Sequence, residues 1–288
     1  MMTITISGDA RLRVADSGGS GPAVLFLHGN LMDHTMWDGV VAELAGYRCI
    51  RFDFRLHGAT EDSGEPFTYW TAARDALAVL EGAGVRSAHL VGHSQGGFTA
   101  LRAALLRPAA VRSLTLIDTA ATAFPGEALG RMAQIRDGFA AGAGADLGAD
   151  ADHDLDATLD GAPAPGAVPD PVTATGAAVL RLLLGPDQPA AASWLERLRR
   201  QPPRRLSTAV GTLMGVDDIL PRLAEVTAPA TVIHGTDDLP IPVGAGRALA
   251  AALPAAVPAH LIEGAGHTPP ITHPVRTAAL LAAFLRHT

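Results

Sequence analysis

The stretch Leu90-Val91-Gly92-His93-Ser94-Gln95-Gly96-Gly97 decides how the rest of the chain is read. It opens as the end of an apolar run, Ala88-His89-Leu90-Val91, with the character of a short buried strand, and residues 98–106 continue it as a buried helix. Between them lies Gly-x-Ser-x-Gly, a spacing that sets a serine on a sharp strand-to-helix turn. A serine in so tight a turn needs small neighbours, and glycine at 92 and 96 lets strand and helix close around it. The helix that follows aims its N-terminus at the serine, where unpaired N–H groups and the positive dipole end favour developing negative charge. Ser94 is therefore the candidate nucleophile.

Outward from this turn, strands and helices alternate. Thr3-Ile4-Thr5-Ile6 and Arg11-Leu12-Arg13-Val14-Ala15 alternate with period two across Gly8-Asp9, which predicts a hairpin at a sheet edge with one wet face. Ala23-Val24-Leu25-Phe26-Leu27 is apolar throughout, as a strand covered on both faces must be. Residues 38–44 read as a helix, 47–54 as a strand, and 69–80 as a helix that stops at Gly82 and Gly84. Residues 111–117 form the next strand, ending at Asp118. The alternation predicts an α/β fold: a mostly parallel central sheet with helices on both faces.

From about residue 124 the rhythm breaks, and no strand-like run follows until after 215, far beyond an ordinary crossover. Helical segments at 129–139, 177–184, 191–199 and 207–214 surround a stretch at 140–175 that is rich in Ala, Gly, Asp and Pro and expected to be loosely packed. An insertion late in the sheet lies over the C-terminal ends of the strands, where α/β sheets bind ligands. The chain thus divides into a core of 1–123 and 216–288 and a helical cap inserted at 124–215. The rhythm resumes with a strand at 230–234, a helix at 244–253, a strand at 259–262 and a closing helix at 274–286.

With 48% hydrophobic residues the chain of 288 can bury a sizeable core. The net charge is −7 and all 22 basic residues are scattered arginines, so no basic stripe exists and no nucleic-acid partner is expected. The single cysteine, Cys49, sits in the apolar run Tyr47-Arg48-Cys49-Ile50 and reads as a buried strand residue; no internal disulfide is possible. The N-terminus lacks a basic region followed by a long apolar core, and no run reaches membrane-spanning length, so a cytoplasmic protein without membrane contact is expected. Asp150, Asp152, Asp154 and Asp156 resemble a calcium loop, but Leu155 stands at the sharp-turn glycine and Gly161 at the final bidentate position, which excludes one. There is no Gly-rich phosphate loop and no metal triad, so neither cofactor nor metal is expected. Nothing in the sequence fixes an oligomeric state.

A serine hydroxyl needs a base within hydrogen-bond reach, itself oriented by an acid. Gly264-Ala265-Gly266-His267 follows the last strand and precedes the last helix, which brings His267 to the same sheet edge as Ser94 and makes it the candidate base. His28 and His234 precede glycines at strand ends and read as structural, and His93 is expected to pack. For the acid, Gly235-Thr236-Asp237-Asp238 follows the strand at 230–234, and only one of two adjacent aspartates can aim at one imidazole. Asp118, at another strand end, is a third candidate.

The order Ser94, Asp238, His267 on this strand pattern resembles the α/β-hydrolase superfamily, in particular its esterase, lactonase and haloperoxidase-like members with a cap, over nearly the whole chain outside the cap. The resemblance implies that the acid is Asp238, three residues after the glycine of Gly-x-x-Asp, and not Asp237. Leu27-His28-Gly29-Asn30 resembles the family's His-Gly oxyanion loop, which implies that the backbone N–H groups of Asn30 and Gln95 hold the oxyanion; such donors contribute about 3 kcal/mol each. In Asp53-Phe54-Arg55-Leu56-His57-Gly58, leucine stands where the family's Asp-x-Arg-Gly-x-Gly has glycine, a departure that bears on the loop's conformation. His-Gly-Asn also resembles haloalkane dehalogenases, but those enzymes and the epoxide hydrolases carry aspartate at the elbow, and Ser94 argues against both. Met32, Phe98 and Trp194 are candidate substrate contacts, while Trp37 is expected to pack the first helix. The implied activity is cofactor-independent hydrolysis of a small-molecule carboxylic ester or lactone through an acyl-enzyme. Thioester or C–C bond hydrolysis and lyase chemistry use the same site, and a non-catalytic ligand-binding homologue is the contrasting class.

Overall fold

The strands bury their side chains with period two, and the alternation builds two cores. Leu25 and Leu27 join Leu90, Leu114, Leu116 and Val232 in one; Val24 and Phe26 join Val91, Ile117 and Ile233 in the other. The computed structural model describes residues 2–142, 170–186, 188–254 and 259–288. Its strands are β1 (Met2–Ser7), β2 (Ala10–Asp16), β3 (Ala23–Leu27), β4 (Arg48–Phe52), β5 (Ala88–His93), β6 (Val111–Ile117), β7 (Ala230–Gly235) and β8 (His260–Ile262). They form one sheet in the order β1-β2-β4-β3-β5-β6-β7-β8. The first hairpin and the β2–β4 pair are antiparallel, and every other pair is parallel. The expected α/β architecture is the one observed.

Among the described residues the helices are α1 (Asp38–Val41), α2 (Tyr69–Gly82), α3 (Gln95–Leu106), α4 (Gly126–Gly142), α5 (Pro171–Leu184), α6 (Ala191–Arg199), α7 (Pro203–Met214), α8 (Val243–Ala252), α9 (Pro269–Thr272) and α10 (Pro274–Leu285). α2, α3 and α8 contribute Leu77, Leu101 and Leu249 to the first core, and α1 and α10 contribute Val40 and Leu281 to the second. The helix expected over 38–44 is shorter: a 3-10 turn, His34–Trp37, leads into the single turn α1. Trp37 is fully buried and packs on Phe26 of the sheet.

The four helices α4 to α7 lie between β6 and β7. α4 packs on α7 and on α5, and α5 packs on α6. Their apolar faces supply Phe139, Val179, Leu180, Leu198 and Val210 to the second core. The loose packing expected over 140–175 falls largely outside the described residues, as does the acidic run at 150–156. Its final part is ordered: Asp170 accepts the Thr173 N–H and Pro171 opens α5. That Asp-Pro start was present in the sequence and was masked by its Ala- and Pro-rich surroundings.

Parallel register aligns the strand ends. Leu27 is level with Gly92, His93 with Ile117, Ile117 with Ile233, and Gly235 with Ile262. The loops after β3, β5, β6, β7 and β8 therefore leave from one edge, and they carry Asn30, Ser94, Asp118, Asp238 and His267.

Candidate active site

Ser94 occupies the turn between β5 and α3 with φ 52° and ψ −117°, a conformation that costs about 1–3 kcal/mol for a residue with a side chain. The surroundings hold it there. Its N–H donates to the Ile117 carbonyl at 2.9 Å, and its own carbonyl accepts the Gly97 and Phe98 N–H groups and the Thr119 hydroxyl, the last at 2.8 Å. The two glycines of the motif are required by contact: a Cβ at position 92 would lie 2.3 Å from the Gly96 oxygen, and one at 96 only 2.0 Å from the Leu27 oxygen.

His267 follows β8 and is almost fully buried. Its Nδ1 lies 2.9 Å and 3.0 Å from the two oxygens of Asp238. Asp238 also accepts the Ile241 N–H at 2.9 Å and has His234 Nε2 at 3.2 Å. Burial pushes its carboxyl up, but the His267 charge and the donors from His234, His267 and Ile241 outweigh burial and hold it well below its ordinary value. Asp237 is exposed and its side chain meets only the Thr236 hydroxyl. Asp118 is fully buried with φ 45°, and it accepts the Gly235 N–H at 2.8 Å. Burial and the Asp238 charge raise its carboxyl well above the usual range.

Ser94 and His267 face one cavity that opens to solvent, together with Asn30 and Met32. Met132 and Ile135 of α4, Val179 and Leu183 of α5 and Val210 of α7 also line it, as does the charged Arg131. The Asn30 N–H meets no acceptor among the described residues, and Gln95, first residue of α3, has an N–H with no intrahelical partner. Two of the other candidates lie elsewhere. Phe98 is buried against Tyr69 and Phe124, and it is Phe124 that reaches the cavity. Trp194 lines a separate cleft beside His57 and Arg197, to which Met32 also contributes.

Several contacts were not legible in the sequence. His93 is held down to about 3 by burial, and its Nε2 lies 2.6 Å from the His267 carbonyl, where a neutral ring donates and fixes the loop. The Asn30 amide donates to the Gln95 side chain at 3.2 Å and to the Ala209 carbonyl of α7 at 3.1 Å, and the Thr268 hydroxyl donates to the Leu183 carbonyl of α5 at 3.0 Å. Such long-range pairs join residues up to 179 positions apart and leave no local signal. His28 and His57, read down to about 4 and about 3 by burial, accept the Phe54 and Leu31 N–H groups and so shape the loops beside the site. Two groups of residues stand close enough to share a cation, Asp33 with His34 and Asp53, and Asp118 with His234 and Asp238. In the first, Asp53 is already occupied by the His34 ring and the His34 and Ala59 N–H groups.

An alpha/beta hydrolase fold family matches residues 22–274. The chain belongs to that family. It is 32% identical over 276 residues to a pimeloyl-[acyl-carrier protein] methyl ester esterase of Methylococcus capsulatus, covering 94% of this chain and 97% of the other. Among solved structures, an esterase from Thermogutta terrifontis superposes with a TM-score of 0.80 at 21% identity, over 100% of this chain and 98% of the other. An enol-lactonase from Burkholderia xenovorans LB400 superposes with a TM-score of 0.79 at 21% identity, over 99% and 100%. No helix among the described residues is long and apolar enough to cross a membrane.

Proposed function

We propose that the protein is a serine hydrolase that cleaves a carboxylic ester or lactone through an acyl-enzyme, with Ser94, His267 and Asp238 as its triad. That it acts on ester bonds is the property its esterase and enol-lactonase relatives share. The observation that carries the finer reading is the joint position of Ser94 and His267 on one cavity wall, with the Asp238 carboxylate on His267 Nδ1. The Nδ1–H···carboxylate bond leaves Nε2 as the basic nitrogen of His267. It takes the Ser94 proton as Oγ attacks the carbonyl, and the imidazolium that forms is stabilised by Asp238. The tetrahedral oxyanion lies against the Asn30 and Gln95 N–H groups at the positive end of α3. Collapse releases the alcohol with the proton from His267, and water activated by the same nitrogen frees the acid.

The four helices between β6 and β7 act as a cap. Among the described residues their wall is largely aliphatic and its one cation, Arg131, is paired with Glu127, so the group admitted beside Ser94 is an apolar one, an aliphatic or aromatic part of a small ester or lactone. Incubation with a fluorophosphonate or an activated ester, followed by mass spectrometry of the intact chain, tests the reading. A covalent adduct on Ser94, absent in Ser94→Ala together with all hydrolysis, is the expected result; hydrolysis that survives Ser94→Ala ends the acyl-enzyme reading.

A further inference from the structure

Beside Asp238 stands a second carboxyl for which the triad has no use. Asp118 is 0% exposed and Asp238 5% exposed, and their carboxylate oxygens approach within 4.8 Å of each other and of His234 Nε2. No arginine is paired with either carboxyl among the described residues; the titratable groups that face them are His234, from β7, and His267, after β8. His234 donates Nε2–H to the Ile241 carbonyl at 2.8 Å, and its Nδ1 meets no partner, which defines the Nε2–H tautomer. Two buried carboxylates this close, with no fixed cation, do not both ionise; one keeps a proton.

The donors decide which. Asp238 receives the His267 ring N–H and the Ile241 N–H, and has His234 Nε2 at 3.2 Å. Among the described residues Asp118 receives one N–H, from Gly235 to Oδ1, and its Oδ2 accepts nothing. An acceptor without a donor is costly when buried; the same oxygen bearing a proton is a donor. The acceptor that shares this buried cluster with Asp118 is the Asp238 carboxylate, within 4.8 Å.

We propose that Asp118 is a neutral carboxylic acid in the folded protein and that its Oδ2–H donates to the Asp238 carboxylate, making Asp118 a positioning residue for the triad. The inference rests on the assignment of Asp238 as the acid of that triad. A neutral O–H holds the carboxylate without adding a second negative charge, and by sharing its lone pairs it lowers their pull on the His267 Nδ1 proton, which stays on the imidazole. The resting site then carries one anion rather than two, and the imidazolium that forms during the reaction meets a carboxylate fixed on several sides.

Infrared spectroscopy reads the proton directly. In the difference spectrum between wild type and Asp118→Asn at neutral pH, the wild type is expected to show the carbonyl stretch of a hydrogen-bonded carboxylic acid and the variant to lack it. Kinetics read the positioning. Asparagine keeps an acceptor for the Gly235 N–H and a donor for Asp238, so Asp118→Asn is expected to hold kcat within about threefold, whereas Asp118→Ala loses the bond to a charged group and lowers kcat by about ten- to a hundredfold at nearly constant KM. A wild type without the carboxylic-acid band overturns the proposal, as does an Asn variant as slow as the Ala variant, or an Ala variant as fast as wild type. The infrared comparison needs only wild type and the Asn variant, so it stands if Ala fails to fold. It is also independent of the acyl-enzyme reading: the band is expected in Ser94→Ala as well, whatever that variant does to esters.

Discussion

Three aspartates stand at strand ends near His267, and their surroundings differ. Asp238 points both oxygens at the imidazole; Asp118 is buried beside it; Asp237 turns outward, with its backbone N–H bound to the Ala265 carbonyl at 2.9 Å. Replacing the triad acid by asparagine keeps its size but permits the wrong imidazole tautomer, which lowered kcat by about 10⁴-fold in an analogous serine-protease triad. Asp238→Asn is therefore expected to lose activity by orders of magnitude with a small change in melting temperature. Asp237→Asn, exposed and remote from the imidazole, is expected to stay near wild type. The measurement is kcat on one ester for each variant beside its melting curve; a collapse in Asp237→Asn with Asp238→Asn active would reverse the assignment.

Elements make the site rigid by close backbone approach. In Gly96→Ala the added Cβ meets the Leu27 carbonyl of β3 at 2.0 Å, and neither strand nor helix has room to retreat. The overpacking is expected to cost about 3 kcal/mol, readable as a lower midpoint in urea unfolding. The loop after β4 solves a related problem with a different residue. Leu56 has φ 65°, the left-handed conformation for which the family's pattern has glycine. Its N–H donates to Asp62 at 2.8 Å, and its side chain is buried in the second core, so packing offsets the backbone strain. Ile135 of α4 and Leu183 of α5 line the cavity. Ile135→Trp is expected to fill part of it, raising KM for esters of long acyl chains by about tenfold while acetyl esters are barely affected, since about 1.4 kcal/mol corresponds to tenfold in binding. Equal effects on both chain lengths would remove α4 from the acyl pocket.

For the molecule as a whole, the carboxyls with shifted proton affinity set how stability follows pH, and they act with opposite signs. Asp16 is held below its ordinary value by the hydrogen bonds of Arg48; in Asp53 and Asp217 burial acts upward, but His34 and Arg102 with Trp70 respectively outweigh it. A lowered folded value means stability that is present above the unfolded value of about 3.9 and lost as pH falls through the folded one. The melting temperature is therefore expected to drop on acidification below about pH 4. Asp118 runs the other way. Its folded value is raised, so its contribution is full below the unfolded value and declines as pH rises toward the folded one. Asparagine does not titrate. The melting temperature of Asp118→Asn relative to wild type is expected to climb as pH rises above about 4; a flat difference would mean that Asp118 ionises alike in both states.

What the sequence determined by itself is whatever is carried by neighbours along the chain. Period-two alternation defined the hairpin at 3–15, continuous apolar runs defined the strands from 23–27 to 230–234, and Gly92-His93-Ser94-Gln95-Gly96 defined the turn, because the steric demand of that turn falls on residues one and two positions away. Chain order together with the strand-end positions brought Asp118, Asp237, Asp238 and His267 to the same edge, but left three aspartates at that edge. The family's Gly-x-x-Asp spacing favoured Asp238, and the tertiary structure adds what each carboxyl meets: the His267 ring at Asp238, the Gly235 N–H at Asp118 and the Thr236 hydroxyl at Asp237. The same holds for the pocket. Phe98 and Phe124 are alike in composition, and which of them reaches the cavity is decided by the packing of Tyr69 and Phe98 in the first core. The bonds from Asn30 to Ala209 and from Thr268 to Leu183, which tie the site's loops to the inserted helices, exist only because the fold brings distant backbone carbonyls to within hydrogen-bond reach.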